Sequence, residues 1–292
     1  LCSRINAGRR LLHVHSNVSD GTFTPKELIL YAQEKGLAAL ALTDHDTVRG
    51  IFEAEKTAEG KSIELIPGIE ISSEYKGGDI HILGLYIDYK QTAFSAALQR
   101  FVEAREQRNN QMAKKLSEHG FFVTIEDIMA AYPDAVITRA HFAKYMKAKG
   151  YVSSYEEAFR KYIGKNCSCY VPRTVIQPED AIGLIRKAGG VAVLAHPLLY
   201  HLTLEELEAM IKDLKKLGLQ GIEVFYSMNQ KEDENLMFSL AKKWELLMTG
   251  GSDFHGSTKP HIDLGVGRGN LCVNETLLEP LRKLRKREEN ET

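Results

Sequence analysis

Leu37-Ala38-Ala39-Leu40-Ala41-Leu42-Thr43-Asp44-His45-Asp46 is an unbroken apolar run that stops abruptly in polar, mostly ionisable residues. A continuous run of this length is the pattern of a strand buried on both faces, as in a parallel sheet. Thr24-Pro25 ahead of it opens an amphipathic segment to Lys35, with Pro in the first helical turn and Gly36 as the stop. The same alternation extends outward. Leu11–His15 is a short strand-like run, Thr47–Glu59 reads as a helix ended by Gly60, Ile63–Ser72 as a strand broken at Pro67-Gly68, and Asp79–Asp88 as another strand. Beyond Pro178 come a helix over Ala181–Ala188, a strand over Val191–Ala195, a helix over Leu202–Leu217, a strand over Gly221–Tyr226, a helix over Asn229–Lys243 and a strand over Leu246–Thr249. Repeated βα units predict a parallel sheet, and about seven of them with ionisable groups at the strand ends predict a closed α/β barrel.

Between the two blocks, from about Gln91 to Tyr162, the signals are almost all helical. Thr124-x-x-Asp127 and Ser154-x-x-Glu157 look like capping boxes. Because alternation resumes afterwards, the expected organisation is a discontinuous barrel (residues 11–90 and 178–275), a helical insertion subdomain (91–177), and a C-terminal helix and tail (276–292).

Composition narrows the function by exclusion. With 292 residues, 43% hydrophobic and 26% charged, the chain has the make-up of an ordinary soluble globular protein. Its net charge of −1 gives no global electrostatic case for a nucleic-acid or membrane binder. No apolar run approaches the length of a membrane span, and no signal peptide is evident. The four cysteines (Cys2, Cys167, Cys169, Cys272) are too few for a disulfide framework, so a cytoplasmic location is expected.

The chemistry sits at strand ends. His13-Val14-His15 places two imidazoles at i and i+2, which face the same way in a strand. Asp20-Gly21 follows in a turn. His45 closes the run quoted above, where it makes a poor helix cap. Glu70 lies inside an apolar strand, and a buried carboxylate without a partner is costly. His81 stands in an apolar alternation, His196 ends a strand in Leu194-Ala195-His196-Pro197, and Asp253-Phe254-His255 repeats the same-facing pair. Each has a bland reading when taken alone, but six successive strand ends all delivering His, Asp or Glu do not. Mixed imidazole and carboxylate ligands suit Mn, Fe or Zn rather than Ca. Nine candidates suit two or three divalent ions bridged by a carboxylate. Cys167-Ser168-Cys169 lacks further ligands and reads as structural.

These motifs in this order, His-x-His…Asp-Gly, Thr-Asp-His-Asp-Thr, Gly-Ile-Glu-Ile, His-Ile-Leu-Gly, Leu-Ala-His-Pro and Gly-Ser-Asp-Phe-His-Gly, resemble the polymerase and histidinol phosphatase (PHP) family from about His13 to Gly267. Thr138–Arg173, with Arg139-Ala140-His141, resembles its stand-alone nucleoside 3′,5′-bisphosphate phosphatase and short-RNA 5′-3′ exonuclease subgroup. The resemblance implies a distorted (βα)7 barrel with up to three metals. His13, His15, Glu70 and Asp253 would hold the first, Asp20, His45 and His255 the second, and Glu70, His81 and His196 the third. Leu12 departs from the family, which usually has Asp there.

The expected activity is hydrolysis of a phosphate monoester of a small nucleotide, with Asp253 accepting the proton of the attacking water. Exoribonuclease action on short RNA is the alternative within enzymes, and a non-catalytic metal-stabilised module of a replication assembly the alternative outside them. Thr138 to Arg173 holds eight Lys or Arg against two Glu, a local excess of +6. Such a patch beside a metal cluster favours a substrate with two phosphates. Arg139, His141 and Arg173 are its candidate binding residues, with Arg105 and Arg108 behind them. The sequence does not fix the oligomeric state.

Overall fold

The computed structural model describes residues 9–133, 135–172 and 176–291. Seven strands form one sheet in chain order: β1 (Arg9–Leu11), β2 (Leu37–Leu42), β3 (Glu64–Tyr75), β4 (Gly78–Leu85), β5 (Val191–Leu194), β6 (Gly221–Tyr226) and β7 (Leu247–Gly251). The sheet curls until its first and last strands meet. Leu12 N donates to Gly250 O at 3.1 Å, and Val14 bridges Phe254 in parallel sense. A nearly closed, distorted barrel results.

The helices α1 (Pro25–Glu34), α2 (Ile51–Ala58), α7 (Pro178–Lys187), α8 (Leu204–Lys216) and α9 (Lys231–Lys243) follow the strand alternation. The main core lies between strands and helices, with Leu28, Ile29, Leu40, Ile185, Met210 and Ile222 fully buried. A second cluster fills the barrel interior: Leu12, Ala39, Ala41, Ile66, Leu83, Val191 and Val193, together with Leu278 and Leu281 of the last helix, α10 (Leu278–Glu291). Leu12, where an Asp was expected by likeness, is thus an interior packing residue.

Three expectations need correction. The sheet is not all parallel: β4 runs antiparallel to both β3 and β5. β3 and β4 form a hairpin whose turn residues Lys76 and Gly77 both have positive φ (48° and 81°), the geometry of a primed turn. Nor is β3 broken at Pro67-Gly68. Pro67 falls at the last residue pair of the β2 ladder, where its missing N–H costs no ladder bond, and a Cβ at Gly68 would lie 2.9 Å from Leu42 O. Helix α2 also starts four residues later than expected, because Thr47 to Gly50 form the loop that leaves the site.

Between β4 and α7 lie α3 (Thr92–Glu118), α4 (Ile125–Ala131), α5 (Arg139–Ala148), α6 (Tyr155–Ala158) and a π-helical turn at Phe159–Ile163. They enclose a hydrophobic cluster of their own around Met112, Leu116, Phe142, Met146 and Ile163. No helix among the described residues is long and apolar enough to cross a membrane.

Candidate metal centre

The His-x-His segment lies between two neighbours that lock its register. On one side, Thr43 N donates to Val14 O (2.9 Å), and Val14 N donates to Thr43 Oγ1 (3.0 Å). On the other, Asp253 N donates to His13 O and His15 N donates to Phe254 O, both at 3.0 Å. Next along, His45 bridges Glu70 in parallel sense. These contacts put His13, His15, His45, Glu70, Asp253 and His255 at one end of the barrel, all buried except His45, which is partly so. A Cβ at Gly251 would lie 2.3 Å from His13 Cβ, so glycine is what lets β7 approach this closely.

All nine candidates from the sequence converge. Glu70 stands at the centre and faces two ways. Its Oε1 is 2.9 Å from His81 Nδ1 and 3.0 Å from His196 Nε2, while its Oε2 is 3.1 Å from His15 Nε2, 3.1 Å from His45 Nδ1 and 3.4 Å from His13 Nε2. Asp253 Oδ1 is 3.4 Å from His15 Nε2 and 3.3 Å from His255 Nδ1. Asp20 Oδ1 is 3.1 Å from His255 Nε2. Four groups bring their donor atoms within 4.8 Å of one another: His15, Asp20, His45 and His255; His13, Glu70 and His196; His13, His15 and Asp253; and His45, Glu70 and His81. Asp46, His196 and Asp253 adopt positive φ (53°, 26° and 52°), a conformation non-glycine residues hold only where the surroundings impose it.

The electrostatics are those of a site built for cations. Burial opposes charge on Asp20, Glu70 and Asp253, but their neighbours outweigh it and hold all three well below the usual carboxylate range. The chief neighbours are His255 and His45 for Asp20, His45 and His81 for Glu70, and Lys259 and His255 for Asp253. Burial also opposes charge on His13 and His15, yet Glu70, Glu223 and Asp253 raise the first well above its ordinary value, and Asp253 and Glu70 raise the second to about 9. At His45 and His255 burial prevails and the pKa falls. Asp20 Oδ1 and His45 Nδ1 are buried without a hydrogen-bond partner, which is costly unless something else satisfies them. Buried ionised carboxylates, the neutral imidazoles of His45 and His255, and orphaned polar atoms at one point fit divalent metal ions.

Several functional-looking residues escaped the sequence reading. Glu223 of β6, fully buried, lies 3.2 Å from His13 Nδ1 and accepts from His196 N at 2.8 Å. It leaves His13 Nε2 to face the cluster. Its signal, a carboxylate inside an apolar strand, is the one that marked Glu70. Tyr226 and Lys259 both touch Asp253. Asp44 and Asp46, which flank His45, hold neighbouring chain segments in place. Asp44 accepts from Ser16 N (2.7 Å) and Ser19 Oγ (2.6 Å), fixing the loop that carries Asp20. Asp46 accepts from Ser72 N (2.8 Å) and pairs with Arg105.

Two cavities adjoin the cluster. A cleft of about 950 Å³ reaches Asp20, His45, Glu70, Asp253 and His255 and is walled by Tyr132, His141, Lys144, Met228 and Lys259. A recess of about 180 Å³ reaches His45 and His81 and is lined by Arg105, Arg108, Arg139, Tyr155 and Tyr170. Arg139 Nη2 donates to Asp79 Oδ2 at 2.8 Å, and its guanidinium lies 5.5 Å from the Tyr170 ring centroid. Arg173 falls outside the described residues. The basic stretch does not form a single face. Arg139, Lys144 and Lys147 line the cavities, whereas Lys161 pairs with Glu157 at 2.6 Å.

His141 packs in the cleft wall. It occupies the third position of α5, and its Nδ1 accepts from Thr138 N at 2.9 Å in a capping box. Burial lowers its pKa to about 4. Folded protein keeps it neutral where unfolded chain, titrating near 6.5, binds a proton, so stability is lost as pH falls from 6.5 towards 4. The full difference is about 3 kcal/mol. Glutamine at this position can complete the same cap. His141→Gln is therefore expected to flatten the acid limb of the stability–pH curve in denaturant titrations; an unchanged slope would show that His141 protonates freely in the folded state.

Residues 12–168 match the family model described as PHP domain. The chain is 39% identical to a 5′-3′ exoribonuclease of Haemophilus influenzae, over 84% of this chain and 89% of that protein. It is 36% identical to a 3′,5′-nucleoside bisphosphate phosphatase of Chromobacterium violaceum, over 87% of this chain and 90% of the relative. A crystal structure of a Bifidobacterium adolescentis protein put forward as a metal-dependent phosphoesterase superimposes with a TM-score of 0.83 at 29% identity, covering 95% of this chain and 96% of that one. The chain belongs to the PHP domain family.

Proposed function

We propose that the protein is a metal-dependent phosphoesterase that removes a phosphate from a small nucleotide, the 3′-phosphate of nucleoside 3′,5′-bisphosphates being the substrate the site fits best. The observation that carries the reading is the arginine-lined recess opening onto the Glu70-centred cluster. One phosphate would lie at the cluster and the second against Arg139 and Arg108, whose planar guanidiniums bind phosphate oxygens in pairs. The name of the Chromobacterium violaceum relative supports the bisphosphate reading, and that of the Haemophilus influenzae relative an RNA substrate.

His13, His15, Glu70 and Asp253, then Asp20, His45 and His255, and then Glu70, His81 and His196 would hold two or three divalent ions of the Mn, Fe or Zn type. Such ions acidify a bound water and neutralise charge on the phosphoryl group. The chain's own residues orient and bind. Glu70 spans the centre through both oxygens. Glu223 fixes His13 and the backbone of His196. Asp253, by its inward oxygen Oδ1, takes the proton of the attacking water. Arg139 and Arg173 from the helical subdomain at 91–177 anchor the distal phosphate, and His141 shapes the cleft wall.

Short RNA remains the second reading, favoured by the width of the open cleft beside Lys144 and Lys147. Purified protein assayed with Mn²⁺ against nucleoside 3′,5′-bisphosphates, 5′-phosphorylated oligoribonucleotides and an aryl phosphate separates these cases. The bisphosphate is expected to give the highest kcat/KM. A higher value on the oligoribonucleotide would replace the substrate assignment, and no turnover of any ester would remove the phosphoesterase reading.

A further inference from the structure

Asp253 is gripped on one carboxylate oxygen by two side chains from outside the nine candidate ligands. Its backbone is in the left-handed region, and its side chain is buried. One oxygen, Oδ2, accepts from Tyr226 Oη at 2.8 Å and from Lys259 Nζ at 2.6 Å. The other, Oδ1, faces His15 Nε2, His255 Nδ1 and, at 3.6 Å, His13 Nε2. The two donors come from separate parts of the chain, Tyr226 from the end of β6 and Lys259 from just beyond the turn at Gly256–Thr258.

We propose that Lys259 and Tyr226 are positioning residues that clamp Oδ2 of Asp253, so that this carboxylate offers only Oδ1 to the cluster. A carboxylate with both oxygens free can grip an ion with the pair or rotate about its last bond. With Oδ2 engaged by an ammonium and a phenol, neither is open to it, and the direction of Oδ1 is set. Carboxylates that bind metal are commonly fixed in this way by outer hydrogen bonds, whose loss weakens the metal site ten- to a hundredfold. Lys259 is suited to the part because its charge also balances Asp253. Tyr226 supplies the second direction, without which an ammonium on a flexible stem fixes distance but not angle. Neither residue stood out in the sequence, and neither is among the nine convergent ligands.

The inference rests on the metal reading of the site, and its test separates the two. Mn²⁺ affinity and stoichiometry are measured by chelator competition for wild type, Lys259→Met, Lys259→Arg and Tyr226→Phe, with kcat and KM on a nucleoside bisphosphate alongside. For Lys259→Met, affinity for one equivalent of metal is expected to fall ten- to a hundredfold and kcat to fall with it, while KM moves less than threefold. Lys259→Arg should recover much of the affinity. Tyr226→Phe, which preserves the packing of the ring, should show a smaller loss at the same equivalent. Wild type that binds metal, with variants of unchanged affinity, overturns the clamp alone. A raised KM with unaltered metal binding does so too, and makes Lys259 a substrate contact. Wild type that binds no metal overturns the metal reading and the clamp together.

Discussion

Replacing His45 by alanine is expected to lower bound metal by about one equivalent per chain and to cut kcat by about a thousandfold. His45 has its Nδ1 3.1 Å from Glu70 and its Nε2 3.8 Å from Asp20, so it joins the central carboxylate to the Asp20–His255 side. Burial holds it neutral, the state in which an imidazole lends a lone pair. Without it, that side keeps only Asp20 and His255, His15 Nε2 being turned to Glu70 and Asp253, and the ion is expected to be lost. A missing positive charge at the phosphoryl group costs several kcal/mol of transition-state stabilisation, and about 4 kcal/mol corresponds to a thousandfold in rate. Elemental analysis of the purified variant, paired with kcat at saturating Mn²⁺, is the measurement. Full metal content with a normal rate would remove His45 from the centre.

Arg139→Ala should separate substrates rather than abolish activity. Arg139 lines the recess beside the cluster and is held by Asp79 and Tyr170, so its guanidinium is already oriented. Losing one charged hydrogen bond of about 2–3 kcal/mol corresponds to tens- to about a hundredfold in KM. That loss is expected for bisphosphates alone, whose second phosphate would reach the recess. A generic aryl phosphate has nothing there, and its KM is expected to stay within about twofold of wild type, a margin well under 1 kcal/mol. Equal and small effects on both would show that the distal phosphate sits elsewhere. Arg105 is a poorer choice for the same experiment, because it is committed to Asp46.

The candidate ligands were legible in the sequence because polar residues that interrupt apolar strands are costly without a purpose, and nine of them recur at strand ends. The structure brings all nine to one point, which spacing alone does not do. The hairpin of β3 and β4 was hidden because Lys76-Gly77 lies in a polar stretch that also reads as a loop between parallel strands. Pro67 suggested a break that the end of the β2 ladder makes unnecessary. Lys259 and Tyr226 were invisible for another reason: a lysine in a loop and a tyrosine at a strand end are ordinary until a contact distance shows that both meet one carboxylate oxygen. Glu223, by contrast, carried the same signal as Glu70 and was readable. Arg105 illustrates the limit of counting charge. It lies outside the basic stretch, yet it reaches the recess, while Lys161 within that stretch is spent on Glu157.

The helix α10 has a consequence for how the protein is made. Its Leu278 and Leu281 fill the inside of the barrel, yet they follow all seven strands in the chain. The β1 edge, emerging first from the ribosome, must also wait for β7 before its unpaired groups are covered. Translation at roughly 5–20 residues per second leaves these apolar and edge surfaces open for many seconds. The central helices at 92–163, with mostly local contacts and a cluster of their own, have no such delay. Nascent chains that stop before α10 therefore leave the apolar residues lining the barrel uncovered.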